Sequence, residues 1–359
     1  MEFFEEVTLA RVSPMEGPVN IAVVGAGFGQ QVHIPAFRKV AGCQIHSICA
    51  KHLECAQQAA QSIGISKATN DWRQLVRDPD VHALALAVPP FLQAEIALAA
   101  AQAGKHIFCE KPLALNVNEA RKIVDAANQT GIVHAMDFIF PEISAWQKAR
   151  ELLGASIVGS IRQVALTWRT ETYTYRAQAR NWKTSFAEGG GTLNNFASHT
   201  LYYLEWLFGP IIKISAYLSP YAAEVEARVD AWLEFAAGFP ATVSIAADAF
   251  CGSGHRLEVY GDSGTLMLEN TTSDYAKGFR LLVGDRKAGQ LMAMEVPFED
   301  ASKDGRIYPV RQIADRFIQA IRTRRKMTPN LGDGARVQTL IDTVRLAHRS
   351  GTWQAVSSA

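Results

Sequence analysis

Val19-Asn20-Ile21-Ala22-Val23-Val24 runs straight into Gly25-Ala26-Gly27-Phe28-Gly29-Gln30, an apolar β-branched stretch ended by a glycine-rich turn. Such a run predicts a buried strand, and the glycines let the chain turn where a side chain would clash. Gln30-Gln31-Val32-His33 then predicts the first turn of a helix. A strand, a glycine turn and a helix N-terminus together make an anion site, because free N–H groups and the positive dipole end aim at a phosphate. In a dinucleotide fold Gly25 makes the turn and Gly27 admits the pyrophosphate. The third position of that pattern is Gln30 rather than Gly or Ala. The match is imperfect, and the rest of the chain has to decide.

At 359 residues the chain predicts two domains rather than one. Hydrophobic residues at 48% and charged ones at 20% describe a globular protein with a substantial core. A net charge of +1 gives no electrostatic case for nucleic acid or an anionic membrane. Cys43, Cys49, Cys55, Cys109 and Cys251 have no metal or redox spacing, which predicts free thiols, a cytoplasmic setting and no metal site. Met1 to Gly17 carries Glu2, Glu5 and Glu6 and no basic stretch of a secretory leader. No apolar run approaches the ~20 residues that span a bilayer.

Residues 1–18 read as an extension closed by Pro14 and Pro18. From Val19 short apolar runs alternate with helical ones, the mark of a doubly wound parallel sheet. Strands are expected at Gln44–Ala50, Val81–Val88, His106–Cys109 and Ile132–Met136. Helices are expected at Leu53–Ile63, Asp71–Val76, Leu92–Ala103 and Asn118–Thr130. After about residue 140 the rhythm changes: Ser160–Thr174 reads as one long strand, Tyr202–Phe208 as helix, and residues 211–309 as several longer strands. That pattern predicts a C-terminal α+β domain with a large, mostly antiparallel open sheet, closed by helices at Arg311–Arg324 and Ala335–His348. The expected division is 1–18, 19–138 and 139–359.

Dinucleotide folds bind at the carboxyl ends of their strands. Those ends are the Gly25–Gln30 turn, Ala50-Lys51-His52, Val88-Pro89-Pro90 and Glu110-Lys111-Pro112. A lysine facing the crevice can polarise an oxygen. An acidic residue about 20 positions after the glycines would hold a ribose 2′-hydroxyl. Ala50 stands there instead, with Lys51 and His52 following, which predicts NADP(H) in preference to NAD(H).

Three motifs in order carry a family resemblance. They are Gly25-Ala26-Gly27-Phe28-Gly29 with His33-Ile34-Pro35-Ala36, then Gly104-Lys105-His106-Ile107-Phe108-Cys109-Glu110-Lys111-Pro112, then Gly189-Gly190-Gly191-Thr192-Leu193-Asn194-Asn195-Phe196-Ala197-Ser198-His199. The chain resembles the Gfo/Idh/MocA family of nicotinamide-dependent oxidoreductases over roughly residues 19–357. The resemblance implies an N-terminal Rossmann domain and a C-terminal domain whose sheet carries the substrate pocket and the interface of a homo-oligomer. It implies cofactor contacts from Gly25, Gly27, Phe28, Gly29, Gln30, Ala50, Lys51, His52, Val88, Pro89, Glu110 and Lys111. It makes Lys111 the residue that holds cofactor ribose and substrate oxygen, and His199 the residue that moves the proton, a task suited to an imidazole.

The substrates this implies are sugars, keto-sugars and related polyols or nucleotide-sugars. Pocket candidates beside Lys111, Asn195 and His199 are Arg169, Tyr173, Tyr175, Arg176, Arg180, Trp182 and Lys183, since rings stack on sugar C–H faces and cations hold anionic groups. Two positions depart from the family pattern, with Asn195 and Tyr202 where an aspartate is common. Losing a carboxylate beside His199 removes a charge that would raise its pKa and orient its ring. The departure admits an alternative, a non-catalytic NAD(P)-binding sugar sensor of the same fold. In a reductase, Lys111, a neighbouring tyrosine such as Tyr202 or Tyr203, or water would have to supply the acid.

Overall fold

A computed structural model describes residues 17–221, 225–297 and 302–357, which leaves most of the expected N-terminal extension outside the described residues. The first sheet consists of β1 (Val19–Val24), β2 (Cys43–Cys49), β3 (Lys67–Thr69), β4 (Ala83–Leu86), β5 (His106–Cys109) and β6 (His134–Met136). All pairs are parallel, in the order β3-β2-β1-β4-β5-β6. The order reverses between β1 and β4, and that is where such sheets open a ligand crevice. The central strand β4 is buried along its whole length, Ala-Leu-Ala-Leu, as expected of a strand covered on both faces.

Helices cover both faces, and their ends are written in the sequence. The helix Leu53–Ile63 buries Ala56, Ala59 and Ala60 and stops at Gly64 in the left-handed region. The helix Val117–Thr130 starts at Asn116, whose side chain accepts the Glu119 N–H at 3.0 Å. Strand β3 is absent from the sequence expectation; three residues carry too little alternation to register.

The second sheet adds β7 (Ile161–Arg169), β8 (Ile211–Tyr221), β9 (Val225–Phe235), β10 (Pro240–Ala246), β11 (Gly254–Gly261), β12 (Gly264–Asn270), β13 (Arg280–Asp285), β14 (Met292–Ala293) and β15 (Gln354–Ala355). Its order is β14-β13-β12-β11-β7-β10-β9-β8-β15. Only β7 and β10 pair in parallel; every other pair is antiparallel. The strand expected over 160–174 ends at Arg169, and Tyr173–Arg176 folds into a single helical turn. Aromatic and β-branched side chains made that segment read as strand. Its backbone is instead satisfied locally, with Arg176 N–H on the Thr172 carbonyl at 2.9 Å and Ala177 N–H on Tyr173 at 2.8 Å.

The last two helices, Ile307–Thr323 and Leu331–Ser350, return to the first sheet. Phe317 meets Phe108 and Phe37 edge-on, with ring centroids 5.7 and 6.5 Å apart. The Pro329 carbonyl accepts the Met136 N–H of β6 at 3.1 Å, and Asp342 accepts the Val117 N–H at 2.8 Å. No helix of the described residues is long and apolar enough to cross a membrane.

Candidate active site

The β1 turn assigns its glycines different jobs. Gly25 has φ +117°, and a Cβ there would lie 2.2 Å from the Ala87 carbonyl oxygen. At Gly29 it would lie 2.8 Å from Val23 Cγ1, so Gly29 lets the helix start pack on the strand. At Gly27 nothing lies within 4 Å, which leaves the backbone open to a phosphate. Gln30 faces away and donates from Nε2 to Ser62 Oγ at 2.9 Å. Gly29 thus fills the packing role that the sequence pattern assigns to position 30. Residues Gly29–His33 form a π-helical turn before the helix Ile34–Arg38, a distortion that recurs at functional sites. Lys51 and His52 are exposed just past β2.

A cavity of about 430 Å³ lies at the strand ends, lined by Gly27, Phe28, Val88, Pro89, Glu110 and Lys111 on the first-sheet side. Trp168, Trp182, Lys183, Asn195, His199 and Tyr275 line the other. Lys111 donates from Nζ to the Asn195 carbonyl oxygen at 3.1 Å. Burial lowers the Lys111 pKa, Glu110 and Asp137 raise it, and Lys183 lowers it.

His199 is 4% exposed, and its Nδ1 has no partner among the described residues. Phe140 and Phe138 meet its ring edge-on at 5.2 and 6.4 Å. Burial first, then the charges of Lys111 and His255, hold His199 well below the usual histidine range, so the imidazole is neutral. Asn195 turns its amide onto its own helix, donating from Nδ2 to the Gly191 carbonyl at 2.9 Å. It makes no hydrogen bond to His199 among the described residues.

The glycine segment is packed on every side. A Cβ on Gly190 would stand 2.5 Å from the Trp182 and Lys183 carbonyl oxygens, and one on Gly191 would stand 2.2 Å from Glu226 Oε1. Glu226 accepts the Leu193 N–H at 2.8 Å and anchors the π-helical turn Leu193–Ala197, which leads into the helix Ser198–Phe208. That anchor fixes the turn bearing Asn195 and the helix bearing His199. The sequence offers no local signal for Glu226, because it lies two strands away.

Several candidates lie elsewhere. Arg169 donates to Ser244 Oγ at 2.8 Å and is not part of the cavity wall. Tyr175 donates to the Glu226 carbonyl at 3.3 Å in a small side pocket shared with Lys183 and Asn195. Tyr173, Arg176 and Arg180 are exposed and outside the wall. Tyr202 stacks on Phe138 at 4.1 Å and faces a separate groove of about 870 Å³. In that groove Arg316 pairs with Glu142 at 2.6 Å and Arg336 with Glu205 at 2.7 Å. Tyr203 is buried and bonded to Thr200 at 3.1 Å and His255 at 2.9 Å. Neither tyrosine lines the cavity, so of the alternatives for the acid Lys111 and water remain.

Glu110, the neighbour of Lys111, meets His33 and Asp137 in a buried cluster. His33 Nε2 lies 3.1 Å from Glu110 Oε1 and 3.3 Å from Asp137 Oδ2. His33 appears in the first motif, but nothing in the sequence shows that Asp137, one residue past β6, meets it. Arg306, also lining the cavity, is bonded to Asp304 at 2.6 and 2.8 Å.

Residues 19–138 match the profile of an oxidoreductase family with an NAD-binding Rossmann fold, and residues 146–267 match the Gfo/Idh/MocA C-terminal domain. An uncharacterised oxidoreductase of Synechocystis is 35% identical over 358 residues, covering 94% of this chain and 96% of its own. The chain belongs to the Gfo/Idh/MocA family. This family member is an NAD(P)-dependent dehydrogenase or reductase. A levoglucosan dehydrogenase of Pseudarthrobacter phenanthrenivorans is 30% identical over 215 residues, covering 57% of this chain and 55% of its own. The solved structure of a levoglucosan dehydrogenase in complex with NADH and L-sorbose superposes with a TM-score of 0.85 at 25% identity, covering 96% of this chain and 100% of that one. A Kribbella flavida oxidoreductase domain protein shares the fold at TM-score 0.85 and 22% identity, over 95% of this chain and 100% of its own. The open Gly27 backbone and the Lys111–His199 cavity fit a nicotinamide cofactor at the reversal of strand order.

Proposed function

We propose that this oxidoreductase transfers a hydride between a nicotinamide, NADP(H) in preference to NAD(H), and a hydroxyl or keto carbon of a sugar, keto-sugar or related polyol. The observation that carries the reading is the convergence of Lys111 and His199 on one cavity beside the open Gly27 turn. Relatives named for sugar chemistry support the substrate class, among them the levoglucosan dehydrogenase and a 1,5-anhydro-D-fructose reductase of Ensifer adhaerens, 30% identical over 153 residues. For the cofactor, Ala50 leaves no carboxylate to repel a 2′-phosphate and exposed Lys51 offers a cation.

The nicotinamide supplies or accepts the hydride. Lys111 donates a hydrogen bond to the substrate oxygen and stabilises the negative charge that develops on it. His199, neutral, accepts the hydroxyl proton when an alcohol is oxidised. Reduction retraces the same path: the Lys111 ammonium gives its proton to the substrate oxygen and is reloaded from His199, the relay by which the hydroxyl proton reaches His199 in oxidation. Trp168, Trp182 and Tyr275 narrow the cavity and offer faces to a sugar ring.

We also assign a cytoplasmic setting and a homo-oligomer formed through the nine-stranded sheet. Free thiols at Cys43, Cys49, Cys55, Cys109 and Cys251 support the first. Tyr217 and Trp232, 58% and 53% exposed on that sheet, support the second, and light scattering of the purified protein tests it.

The deciding assay follows the reduction of NADP+ and NAD+ by levoglucosan, glucose and myo-inositol, and the oxidation of NADPH and NADH by 1,5-anhydro-D-fructose and L-sorbose. Turnover of at least one of them, abolished by Lys111→Met, is expected. A panel with no turnover would overturn the sugar reading of the substrate.

A further inference from the structure

Beside the main cavity lies a side pocket of about 60 Å³, and the two share Lys183, Asn195 and Phe196 as walls. Lys183 is fixed by its main chain: its N–H donates to Asn181 Oδ1 at 2.9 Å, and its carbonyl accepts the Gly191 N–H at 2.9 Å. Its ammonium lies 5.8 Å from the centroid of the Trp182 ring and meets no acceptor among the described residues. The other cations of the main cavity are engaged, Lys111 on the Asn195 carbonyl at 3.1 Å and Arg306 on Asp304 at 2.6 and 2.8 Å. Thr172, also on the side-pocket wall, precedes the Tyr173–Arg176 turn without capping it, and its buried Oγ1 has no partner among the described residues. A buried hydroxyl is costly to leave unpaired, so a donor is unspent on that wall. No carboxylate lines the pocket among the described residues; Glu226 lies behind Gly191 and accepts the Leu193 N–H.

We propose that this side pocket takes the carboxylate of a sugar acid, a uronate or an aldonate, and that Lys183 is the cation that selects it. The proposal rests on the reading of the chain as a sugar oxidoreductase that holds the reacting oxygen at Lys111. Asn195 borders both places: its carbonyl accepts from Lys111 Nζ, and its side of the turn lines the side pocket. One sugar can therefore present a hydroxyl to Lys111 and a carboxylate to Lys183. The pocket has room for a few water-sized groups, which suits a carboxylate and excludes a second sugar ring. A carboxylate accepts from an ammonium and a hydroxyl together, and such charged hydrogen bonds are the strong ones. Burial, then the Arg306 charge, lower the Lys183 pKa, and Glu110 opposes them. An anion beside Lys183 acts as Glu110 does. The Lys183 charge also pulls Lys111 down, so a carboxylate that neutralises it favours the Lys111 ammonium.

The experiment compares kcat/KM for oxidation by NADP+ within matched pairs, D-glucuronate against D-glucose and D-galacturonate against D-galactose, with D-glucose 6-phosphate as a bulkier anion. Binding of D-glucuronate to the cofactor-bound protein is read separately from tryptophan fluorescence, since Trp168 and Trp182 line the main cavity. In at least one pair the acid is expected to exceed the neutral sugar by about 10–100-fold, as a charged hydrogen bond gives. Lys183→Met is expected to bring that ratio to about one, and Lys183→Arg to keep most of it. Thr172→Val removes a hydroxyl that no protein group uses, and is expected to lower the ratio by about 3–10-fold without lowering Tm. A ratio near one in the parent protein overturns the anionic class. A ratio that survives Lys183→Met overturns the role of Lys183. An equal loss in both members of a pair, with a raised Kd for NADPH, overturns it too and gives the lysine to the cofactor phosphates. Preference for the 6-phosphate over both acids overturns the carboxylate. No turnover of any member, with D-glucuronate binding still dependent on Lys183, overturns the oxidoreductase reading while the pocket stands; without that binding the proposal falls as well.

Discussion

Lys111 Nζ donates to the backbone carbonyl of Asn195 across 3.1 Å, and that bond joins a strand end of the first sheet to the turn that leads into the His199 helix. The residue at position 195 therefore reaches the lysine through its main chain, whatever its side chain. Its amide is spent on Gly191.

Lys111→Met is expected to lower kcat by about 10²–10⁴-fold while leaving the melting temperature close to that of the parent. His199→Asn is expected to lower kcat by a comparable factor in oxidation, where the neutral imidazole takes the proton. Steady-state kinetics on purified variants checks both. A wild-type rate for His199→Asn would remove His199 from the chemistry.

The two glycines of the first turn are expected to fail differently. Gly25→Ala sets a Cβ against the Ala87 carbonyl at φ +117° and should destabilise the fold by ~2–4 kcal/mol. Gly27→Ala meets nothing within 4 Å and should leave stability unchanged while raising the cofactor Kd. Denaturant titration and cofactor fluorescence separate the two; equal loss of stability would refute the assignment.

Lys51→Ala is expected to weaken NADPH by about 3–10-fold and to leave NADH nearly unchanged, since an exposed ion pair to a phosphate is worth ~1 kcal/mol. Competitive titration at fixed ionic strength reads it. Tighter binding of NADH than of NADPH by the parent protein would contradict the cofactor preference.

Stability should fall on both sides of neutrality. His255 is pulled down to about 3 by burial. A histidine lowered in the fold takes up its proton only on unfolding, so its contribution is present above about pH 6.5 and is lost as pH falls. At pH 5 that loss is ~2 kcal/mol for His255. His106 and His134, lowered to about 4 chiefly by burial, act in the same direction. His33 does the reverse: burial alone would lower it, but Asp137 and Glu110 raise it to about 9. Its contribution is full below pH 6.5 and is lost as pH rises towards 9. Melting temperature against pH checks the window, and a flat profile from pH 5 to 9 would contradict it.

Much of the first sheet is legible in the sequence because its strands and helices announce themselves locally. Leu53–Ile63 and His106–Cys109 lie where glycine stops and apolar runs place them. Lys111 and His199, which line one cavity, could be marked from sequence because they sit in local motifs, the second departing from the family pattern at Asn195. Asp137 and Glu226 could not, since each acts through a contact made only when distant strand ends meet. Arg169 misled for a related reason: periodicity marks a strand residue as outward or inward but does not say which side chain of the next strand it reaches, and that is Ser244, diagonal to it on β10.

Phe317 lies fully buried against Phe37 and Phe108, although more than two hundred residues of chain separate it from either. During synthesis the dinucleotide half leaves the ribosome first and waits with this aromatic face bare until the Ile307–Thr323 helix emerges. A nascent chain halted after Arg306 should therefore stay protease-sensitive and engage chaperones. One halted after Ser350 should not, because both returning helices are then present. Equal protection of the two arrested chains by pulse proteolysis would show that the first half closes by itself. The half that is made first is closed only by chain that is made near the end.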